Sequence, residues 1–147
     1  MLEQNKAVKL NRIELIPADQ LQPGQRLLVE VDGIEIAVTN VDGKWYAFRN
    51  SCPHQGVSLV FGAITGTMMP SQPQEYQYGC DNELIRCPLH GWEFHMKTGK
   101  SMFQPDKVSI LTYEAAEEEG TVVLYMKRLP KKVEIKRQVC FGQSNIL

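Results

Sequence analysis

The sequence has almost no net charge and no long apolar stretch. Its 16 Lys and Arg residues nearly balance 17 Asp and Glu residues, which leaves a formal net charge of -1. Such a balance creates no long-range field that would attract nucleic acid or an anionic membrane surface. No run approaches the ~18 consecutive apolar residues that a spanning helix needs, and the opening residues MLEQNKAVKLNRIEL lack the apolar core of a signal peptide. We therefore expect a cytoplasmic protein without nucleic-acid or membrane partners.

A long amphipathic helical pattern is also missing, whereas short strand-like runs are frequent. The 147 residues are close to the common length of one domain. We therefore predict a single domain over residues 1–147, with its core at residues 26–127. Many short strands without intervening helices are typical of an antiparallel sandwich or small barrel. The predicted fold class is all-β and antiparallel.

Three of these runs follow one another between Gln25 and Asn50, joined by Asp32-Gly33 and Asp42-Gly43. An Asp-Gly pair suits the positive φ angles of a two-residue hairpin turn, so this segment predicts a three-stranded meander. In the middle run, branched residues alternate with smaller or polar ones, which predicts one buried face and one more polar face. The branched set is Ile34, Ile36 and Val38, and the alternating set is Glu35, Ala37 and Thr39.

Later runs extend the strand pattern. Residues 83–87 and 108–114 have the composition of strands, as do residues 121–127. The acidic segment AAEEEG lies between the last two runs and indicates a hairpin turn that ends at Gly120.

Two stretches lack a clear period. Between Gly62 and Asp81, Gly, Pro, Ser and Gln interrupt any alternation, so we predict a long loop with room for a short strand at residues 75–78. The tail at residues 130–147 is rich in Lys and Arg. Its alternating pattern indicates a solvated edge strand whose lysines oppose aggregation, with a docking patch as the alternative.

The four cysteines could form two disulfides. A chain of this length does not need them to hold a core, and a reducing compartment would not keep them. A metal centre is the better explanation for at least some of the cysteines. Cys80 and Cys140 each stand alone in the sequence, and we interpret them as incidental thiols.

The other two cysteines stand in short clusters with histidine. Cys52-Pro53-His54 is followed by Gly56, and Cys87-Pro88-Leu89-His90 is followed by Gly91. The prolines and glycines favour tight loops, so each cluster can present a thiolate and an imidazole to one metal centre. Two Cys and two His fit a mononuclear zinc site, or a 2Fe-2S cluster with both thiolates on one iron and both imidazoles on the other. Zinc sites usually place the two Cys together and the two His together, so the mixed order favours the two-iron centre.

The segments CPHQG and CPLHGWEFHMKTG resemble the CxHxG and CPxHGW motif pair of the Rieske iron-sulfur proteins. The likeness extends to the meander, the segment FQPD and the closing hairpin, and covers residues 26–127. It implies an antiparallel β fold with a smaller subdomain that holds one 2Fe-2S cluster at an exposed tip. By position, the resemblance assigns Cys52 and Cys87 to the buried iron and His54 and His90 to the outer iron.

The sequence also departs from part of that family. Rieske proteins of the respiratory and photosynthetic cytochrome complexes have a disulfide between the ligand loops, where this chain has Val57 and Leu89. They also have a serine that donates a hydrogen bond to a cluster sulfur, where this chain has Trp92. Fewer such bonds favour the oxidised cluster, so we expect a potential near roughly -150 mV rather than +300 mV, the range of ferredoxins that supply oxygenases. The gap between the clusters is longer than is usual, so residues 63–81 are expected to be an insertion.

The resemblance makes a soluble electron carrier the leading hypothesis. Such a ferredoxin takes electrons from a reductase and delivers them to a terminal oxygenase, and is a component of an oxidoreductase system rather than a catalyst by itself. Catalytic oxygenase subunits need a further iron site of two His and one carboxylate. Only His95, which we interpret as a surface residue, remains once His54 and His90 bind the cluster. Two alternatives stay open: a small Rieske subunit of a nitrite reductase or other oxidoreductase complex, and a structural zinc domain.

Overall fold

The computed structural model describes residues 10–41, 43–53, 56–70, 76–89 and 91–140. These residues form ten strands and two single-turn 3-10 helices, Ala18–Gln20 and Leu59–Phe61. No helix in this part of the chain is long and apolar enough to cross a membrane. In chain order the strands are β1 (Asn11–Pro17), β2 (Gln25–Val31), β3 (Ile34–Val41), β4 (Lys44–Arg49), β5 (Ile64–Pro70), β6 (Tyr76–Arg86), β7 (Glu93–His95), β8 (Thr112–Glu118), β9 (Thr121–Met126) and β10 (Val133–Cys140).

The chain divides into two compact units. The first contains the residues up to Ala47 and those from Tyr113 onward, and the second is Phe48–Thr112. The core of the first unit is made of buried aliphatic side chains from β2, β3, β4 and β9 and from the turn after β1. They are Leu21, Leu27, Val29, Val31, Ile36, Val38, Ala47, Val122 and Leu124.

The larger sheet has seven strands in the order β1-β9-β8-β4-β3-β2-β10, with β1 and β10 at its edges. The pairs β1–β9, β8–β9, β2–β3 and β2–β10 are antiparallel. Gln138 on β10 donates a hydrogen bond of 2.7 Å from Nε2 to the carbonyl oxygen of Gln20, just after β1. The two edges therefore approach each other, and the sheet curls toward a barrel. This architecture confirms the predicted all-β antiparallel class.

The predicted meander is confirmed by β2, β3 and β4. In the first turn Asp32 has a φ angle of 49° and Gly33 of 87°, the positive values that a two-residue hairpin turn requires. Gly43 in the second turn has a φ angle of 87°, and Asp42 lies outside the described residues.

The predicted polar face of β3 is wrong. Ile36 and Val38 are fully buried as expected, whereas Ile34 on the same face is 39% exposed. Ala37 and Thr39 on the opposite face are also 0% exposed. The Thr39 hydroxyl donates a hydrogen bond of 3.1 Å to the carbonyl oxygen of Gln25. A short polar side chain that bonds the backbone can be buried at low cost, and alternation of residue polarity alone does not reveal this.

The last hairpin begins later than predicted. A strand at 112–118 replaces the one predicted at 108–114, and the turn is confined to Glu119-Gly120. Their φ angles of 52° and 81° close a two-residue hairpin turn whose twist matches the flanking strands. β8 therefore stays paired with β9 through Glu117 and Glu118, which the sequence pattern predicted to lie in the turn.

The strand β1 was not predicted from the sequence. Its segment, NRIELIP, contains a period-two signal: Ile13 and Leu15 pack against the core, whereas Arg12 and Glu14 are exposed. That alternation was sufficient to predict a strand.

Residues 63–81 form most of a hairpin, so the predicted long loop is wrong. β5 and β6 pair antiparallel as far as Pro70 opposite Tyr76, and residues 71–75 at the tip lie outside the described residues. β6 also pairs with β7, which makes a three-stranded sheet in the order β5-β6-β7. Cross-strand pairing uses backbone groups, so residues that interrupt the side-chain alternation do not prevent it.

The solvated edge strand predicted in the basic tail is confirmed as β10, which pairs with β2. Lys136 Nζ lies 3.1 Å from Glu30 Oε1. The carboxylate of Asp32 accepts hydrogen bonds from the backbone N–H groups of Lys131 and Lys132, at 3.0 and 2.8 Å. The turn between β2 and β3 therefore anchors the start of β10.

A charged network connects β1 to β8 and β9. Arg12 Nε lies 2.7 Å from Glu118 Oε1, and its Nη1 lies 2.8 Å from Glu14 Oε2. The Tyr125 hydroxyl also donates a hydrogen bond to Glu118. Hydrogen bonds from Tyr125 and Arg12 lower the pKa of Glu118, and the bond to Glu118 raises the pKa of Tyr125.

We expect the substitution E118Q to lower the melting temperature at neutral pH and to have little effect in acid. Because the folded pKa of Glu118 lies below its ordinary value of 4.5, its contribution to the free energy of unfolding is present above that pH. The contribution disappears as the pH falls through the lower folded value. Thermal unfolding at neutral pH and near pH 3 measures the difference. E117Q removes an exposed carboxylate from the same strand and is the control, and equal losses for both variants at both pH values would contradict the prediction.

Candidate metal centre

The first Cys/His cluster forms a loop that follows β4. Cys52 is fully buried and forms no disulfide within the described part of the chain. Its N–H donates a hydrogen bond of 2.9 Å to the carbonyl oxygen of Val57, and its own carbonyl accepts one of 2.6 Å from the N–H of Gly56. Gly56 has a φ angle of 73°, in the left-handed region that glycine adopts without strain. The loop therefore closes on the backbone of its cysteine.

The second cluster forms a loop between β6 and β7. Cys87 is 2% exposed and forms no disulfide with another described residue. Its N–H donates a hydrogen bond of 2.7 Å to the carbonyl oxygen of Trp92, and its carbonyl accepts one of 2.9 Å from the N–H of Gly91. Gly91 has a φ angle of 74°, nearly the same as its counterpart in the first loop.

The two loops have the same pattern of backbone hydrogen bonds, although the residues between the cysteine and the glycine differ. In each loop the fourth residue after the cysteine is a glycine that donates to the cysteine carbonyl, and the fifth accepts from the cysteine N–H. Both backbone groups of each buried cysteine are therefore paired, as buried peptide groups must be. The two Cys/His clusters therefore fold into loops with the same backbone hydrogen bonds.

Gly62 lies against the residue that precedes the second loop, a role that no local sequence pattern predicts. The N–H of Arg86, the residue before Cys87, donates a hydrogen bond of 2.9 Å to the carbonyl oxygen of Ala63. A Cβ atom on Gly62 would lie 1.8 Å from the carbonyl oxygen of Arg86. The φ angle of Gly62 is -79°, which any residue can adopt, so glycine is required here for space alone. A close approach of this kind depends on tertiary contacts and leaves no local pattern.

Asn50 anchors the first loop from two positions before Cys52. Its side chain is buried, and its Oδ1 accepts a hydrogen bond of 2.6 Å from the N–H of Val60 in the second 3-10 helix. A buried amide oxygen that loses its partner costs about 1–3 kcal/mol, so this bond fixes the chain that enters the first loop.

Trp92 is half-buried and stands at the end of the second loop. Its ring packs against Phe103, with centroids 4.5 Å apart and planes inclined by 52°. The N–H of Met102 donates a hydrogen bond of 2.9 Å to the carbonyl oxygen of Glu93, which holds the segment that carries Phe103. The Trp92–Phe103 pair therefore lies beside the Trp92 carbonyl group that accepts the hydrogen bond from the N–H of Cys87.

The remaining predicted ligands, His54 and His90, lie outside the described residues. Within the described ranges, no three His, Cys, Asp or Glu side chains group closely enough to hold a metal ion. Of the four predicted ligands, the structure describes only Cys52 and Cys87, so these two residues show whether a metal centre fits. Both are buried, neither forms a disulfide within the described residues, and both are held on matched loops, which suits the thiolate half of a 2Fe-2S centre with two Cys and two His ligands.

His95 is engaged within the smaller sheet. Its Nε2 lies 3.1 Å from Glu83 Oε1, and its Nδ1 accepts a hydrogen bond of 3.2 Å from the N–H of Lys97. Because Nδ1 accepts, Nε2 carries the proton donated to Glu83. The side chain is only 21% exposed, so the expected surface residue is instead half-buried. The side chains of Cys80 and Cys140 lie outside the described residues.

The sequence pattern of the Rieske [2Fe-2S] domain matches residues 11–114. The chain belongs to the Rieske [2Fe-2S] family. Its cofactor is accordingly a 2Fe-2S cluster, which the two buried thiols fit. The match begins at the first residue of β1 and extends through the whole of the second unit.

Several known proteins resemble this one over most of their length. The 3-phenylpropionate/cinnamic acid dioxygenase ferredoxin subunit of Escherichia coli (strain K12) is 28% identical over 115 residues, which cover 78% of this chain and 93% of that protein. A chain in the complex of reduced oxygenase and oxidized ferredoxin in carbazole 1,9a-dioxygenase has a TM-score of 0.60 and 28% identity, over 80% of this chain and 96% of that chain. A Mycobacterium tuberculosis structure described as an NADH-dependent nitrite reductase small subunit has a TM-score of 0.62 over 80% and 96%. Its identity of 21% shows the shared fold alone.

We expect G62A to lower the iron content of this Rieske protein as well as its stability. The added methyl group would collide with the Arg86 carbonyl, and relief requires a backbone shift directly before Cys87. Overpacking of this kind costs about 1–3 kcal/mol. Iron analysis and thermal unfolding of the purified variant measure the two effects.

G24A is the matched control for this substitution. Gly24 has a φ angle of 91° and open space around it, so alanine there brings backbone strain of about 1–2 kcal/mol without a collision. We expect G24A to lose stability but to keep its iron. Full iron content in G62A would show that the close approach does not position the second loop.

Proposed function

We propose that this chain is a Rieske ferredoxin that carries single electrons from a reductase to a terminal oxygenase. The observation that carries the proposal is the pair of matched loops, each of which buries one cysteine and closes on its backbone. The relatives support it, because the dioxygenase ferredoxin subunit of Escherichia coli is covered over 93% of its length. A structure similar to this chain comes from a complex with an oxygenase.

The proposed ligands are Cys52, His54, Cys87 and His90. When bound, a Rieske cluster accepts and returns one electron. The residues of this chain bury the two cysteines, pair their backbone groups and place the Trp92 ring beside the second loop. Leu89, next to His90 in the sequence, is 54% exposed, so solvent and partner proteins reach the second loop.

The proposal also covers the extent and location of the protein. The whole chain acts as one Rieske domain, a view supported by the family match, which includes residues of both units. A cytoplasmic location is part of the same proposal, because the cysteines must stay reduced until they bind iron.

Oxygen activation is not part of the proposed function. An oxygenase iron site of the two-His, one-carboxylate type needs two histidines beyond the cluster ligands. The sequence has three histidines in all. With His54 and His90 as ligands, only His95 remains, and it is bonded to Glu83.

We expect protein purified without oxygen to contain about two irons and two acid-labile sulfides per chain and to absorb visible light. H54A and H90A should each lose iron, because each removes one imidazole ligand. H95A is the matched control and should keep both irons. Metal and sulfide analysis with visible spectra of the four proteins tests the assignment. Stoichiometric zinc without iron would instead show the structural zinc domain.

We expect the reduced protein to be reoxidised by an oxygenase in the absence of oxygen. The oxygenase component of carbazole 1,9a-dioxygenase is a suitable probe. Stopped-flow absorbance should show a reoxidation rate that rises with oxygenase concentration, because transfer requires an encounter between the two proteins. If a nitrite reductase catalytic subunit reoxidises the protein and the oxygenase does not, the chain belongs to the alternative class of complex.

A further inference from the structure

A cleft of about 410 Å³ opens beside the second ligand loop. Its lining includes Phe61, Arg86, Cys87 and Pro88. Arg86 and Pro88 are exposed and Phe61 is 44% exposed. A Cβ atom on Gly91 would lie 3.3 Å from Nε and Nη2 of Arg86, so the guanidinium group lies directly against the ligand loop. The cleft therefore combines a cation and an aromatic ring next to a buried cysteine.

A second cleft, of about 260 Å³, opens beside the first ligand loop. Its lining includes Arg49, Pro53 and Leu111. Arg49 and Pro53 are exposed, and Leu111 is 58% exposed. The N–H of Arg49 donates a hydrogen bond of 2.9 Å to the carbonyl oxygen of Leu111, which fixes the two sides of the cleft to each other. Pro53 directly follows Cys52, so this cleft also lies at a ligand loop.

The two clefts share three kinds of lining residue. Each contains one arginine, one large exposed apolar side chain and the proline of its loop. Among the residues that the structure describes, neither cleft is lined by a carboxylate. Neither Arg49 nor Arg86 has a side-chain hydrogen bond or ion pair with another described residue. Two arginines therefore stand at the ligand loops without a side-chain partner among the described residues.

We propose that these clefts receive acidic side chains of the redox partner, one carboxylate at Arg86 and one at Arg49. A guanidinium group binds a carboxylate through two parallel hydrogen bonds. Arginine and aromatic residues are also enriched among the residues that dominate binding energy at interfaces. Transient redox interfaces are often smaller than ~1,200 Å², so two such clefts supply a large share of the contact.

This inference rests on the proposed function. It attributes the attraction of the partner to the two arginines at the ligand loops and not to the net charge of the chain. The chain as a whole has a net charge of -1, which does not favour an acidic partner. The two arginines act only within about 10 Å at moderate ionic strength. The partner is therefore recognised by the charges at the ligand loops and not by the net charge of the protein.

Small charged oxidants test the proposal without the natural partner. Ferricyanide is an anion that takes one electron from the reduced protein and becomes ferrocyanide, whereas hexaammineruthenium(III) is a cation that takes one electron in the same way. We expect R86Q and R49Q each to slow the reaction with ferricyanide about threefold at low ionic strength, with no slowing for the ruthenium complex. High salt should remove the difference. K97Q, at an exposed lysine of the same unit outside both clefts, is the control with the same change in charge.

A second measurement needs no electron transfer. Hexacyanochromate(III) is a paramagnetic anion that is not reduced under these conditions, and it broadens NMR signals near its binding site. We expect it to broaden the methyl signals of Leu111 and Ala63 in the wild-type protein. R49Q should lose the broadening at Leu111, and R86Q that at Ala63, whereas K97Q should keep both.

The outcomes separate this inference from the proposed function. A protein without iron would end the proposed function, and the chromium titration would still support or reject anion binding at the clefts. A protein with its cluster in which R86Q and R49Q behave like K97Q would reject the clefts and leave the electron carrier intact. A wild-type dimer in sedimentation experiments that R86Q converts to a monomer would assign the clefts to a second copy of the chain and overturn the proposal.

Discussion

The backbone hydrogen bonds that close each loop on its own cysteine are the constraint on which the site depends. A buried cysteine brings a peptide N–H and a carbonyl into a region without water, and both must find partners. In each loop they are satisfied within five residues, by a glycine N–H and by the carbonyl of the next residue. The positive φ angles of Gly56 and Gly91 make this closure possible. The two cysteines are therefore held in buried positions by hydrogen bonds within their own loops.

The hairpin of β5 and β6 belongs to the framework of the second loop. β6 ends at Arg86, and Cys87 follows it directly. The same hairpin begins just after Gly62, whose missing side chain allows the backbone to approach Arg86. β5 and β6 contain most of the residues that the sequence predicts to be an insertion, and β6 leads directly into the second loop. The cleft that contains Arg86 lies at the base of this hairpin.

Charge in this molecule is informative only at the local scale. Arg12 and Glu118 stabilise an edge of the larger sheet, and Lys136 and Glu30 stabilise the other edge. The charges of these pairs are part of the net charge of the chain, but they lie at the sheet edges and do not line either cleft. Arg49 and Arg86 differ, because each stands at a ligand loop with no carboxylate among the described residues that line its cleft. A net charge near zero is therefore compatible with an exposed arginine beside each of the two cysteine loops.

The sequence by itself determined the all-β class, the meander, the edge strand β10 and the family, because these depend on short-range patterns. Asp32-Gly33 specifies a hairpin turn, and a cysteine followed by proline, histidine and glycine specifies a ligand loop. Only the tertiary structure decided the rest. The burial of Thr39, the hairpin within residues 63–81, the lack of space at Gly62 and the exposure of Arg86 beside Gly91 all depend on which segments meet. No local pattern encodes them, because pairing and close approach are properties of two distant parts of the chain.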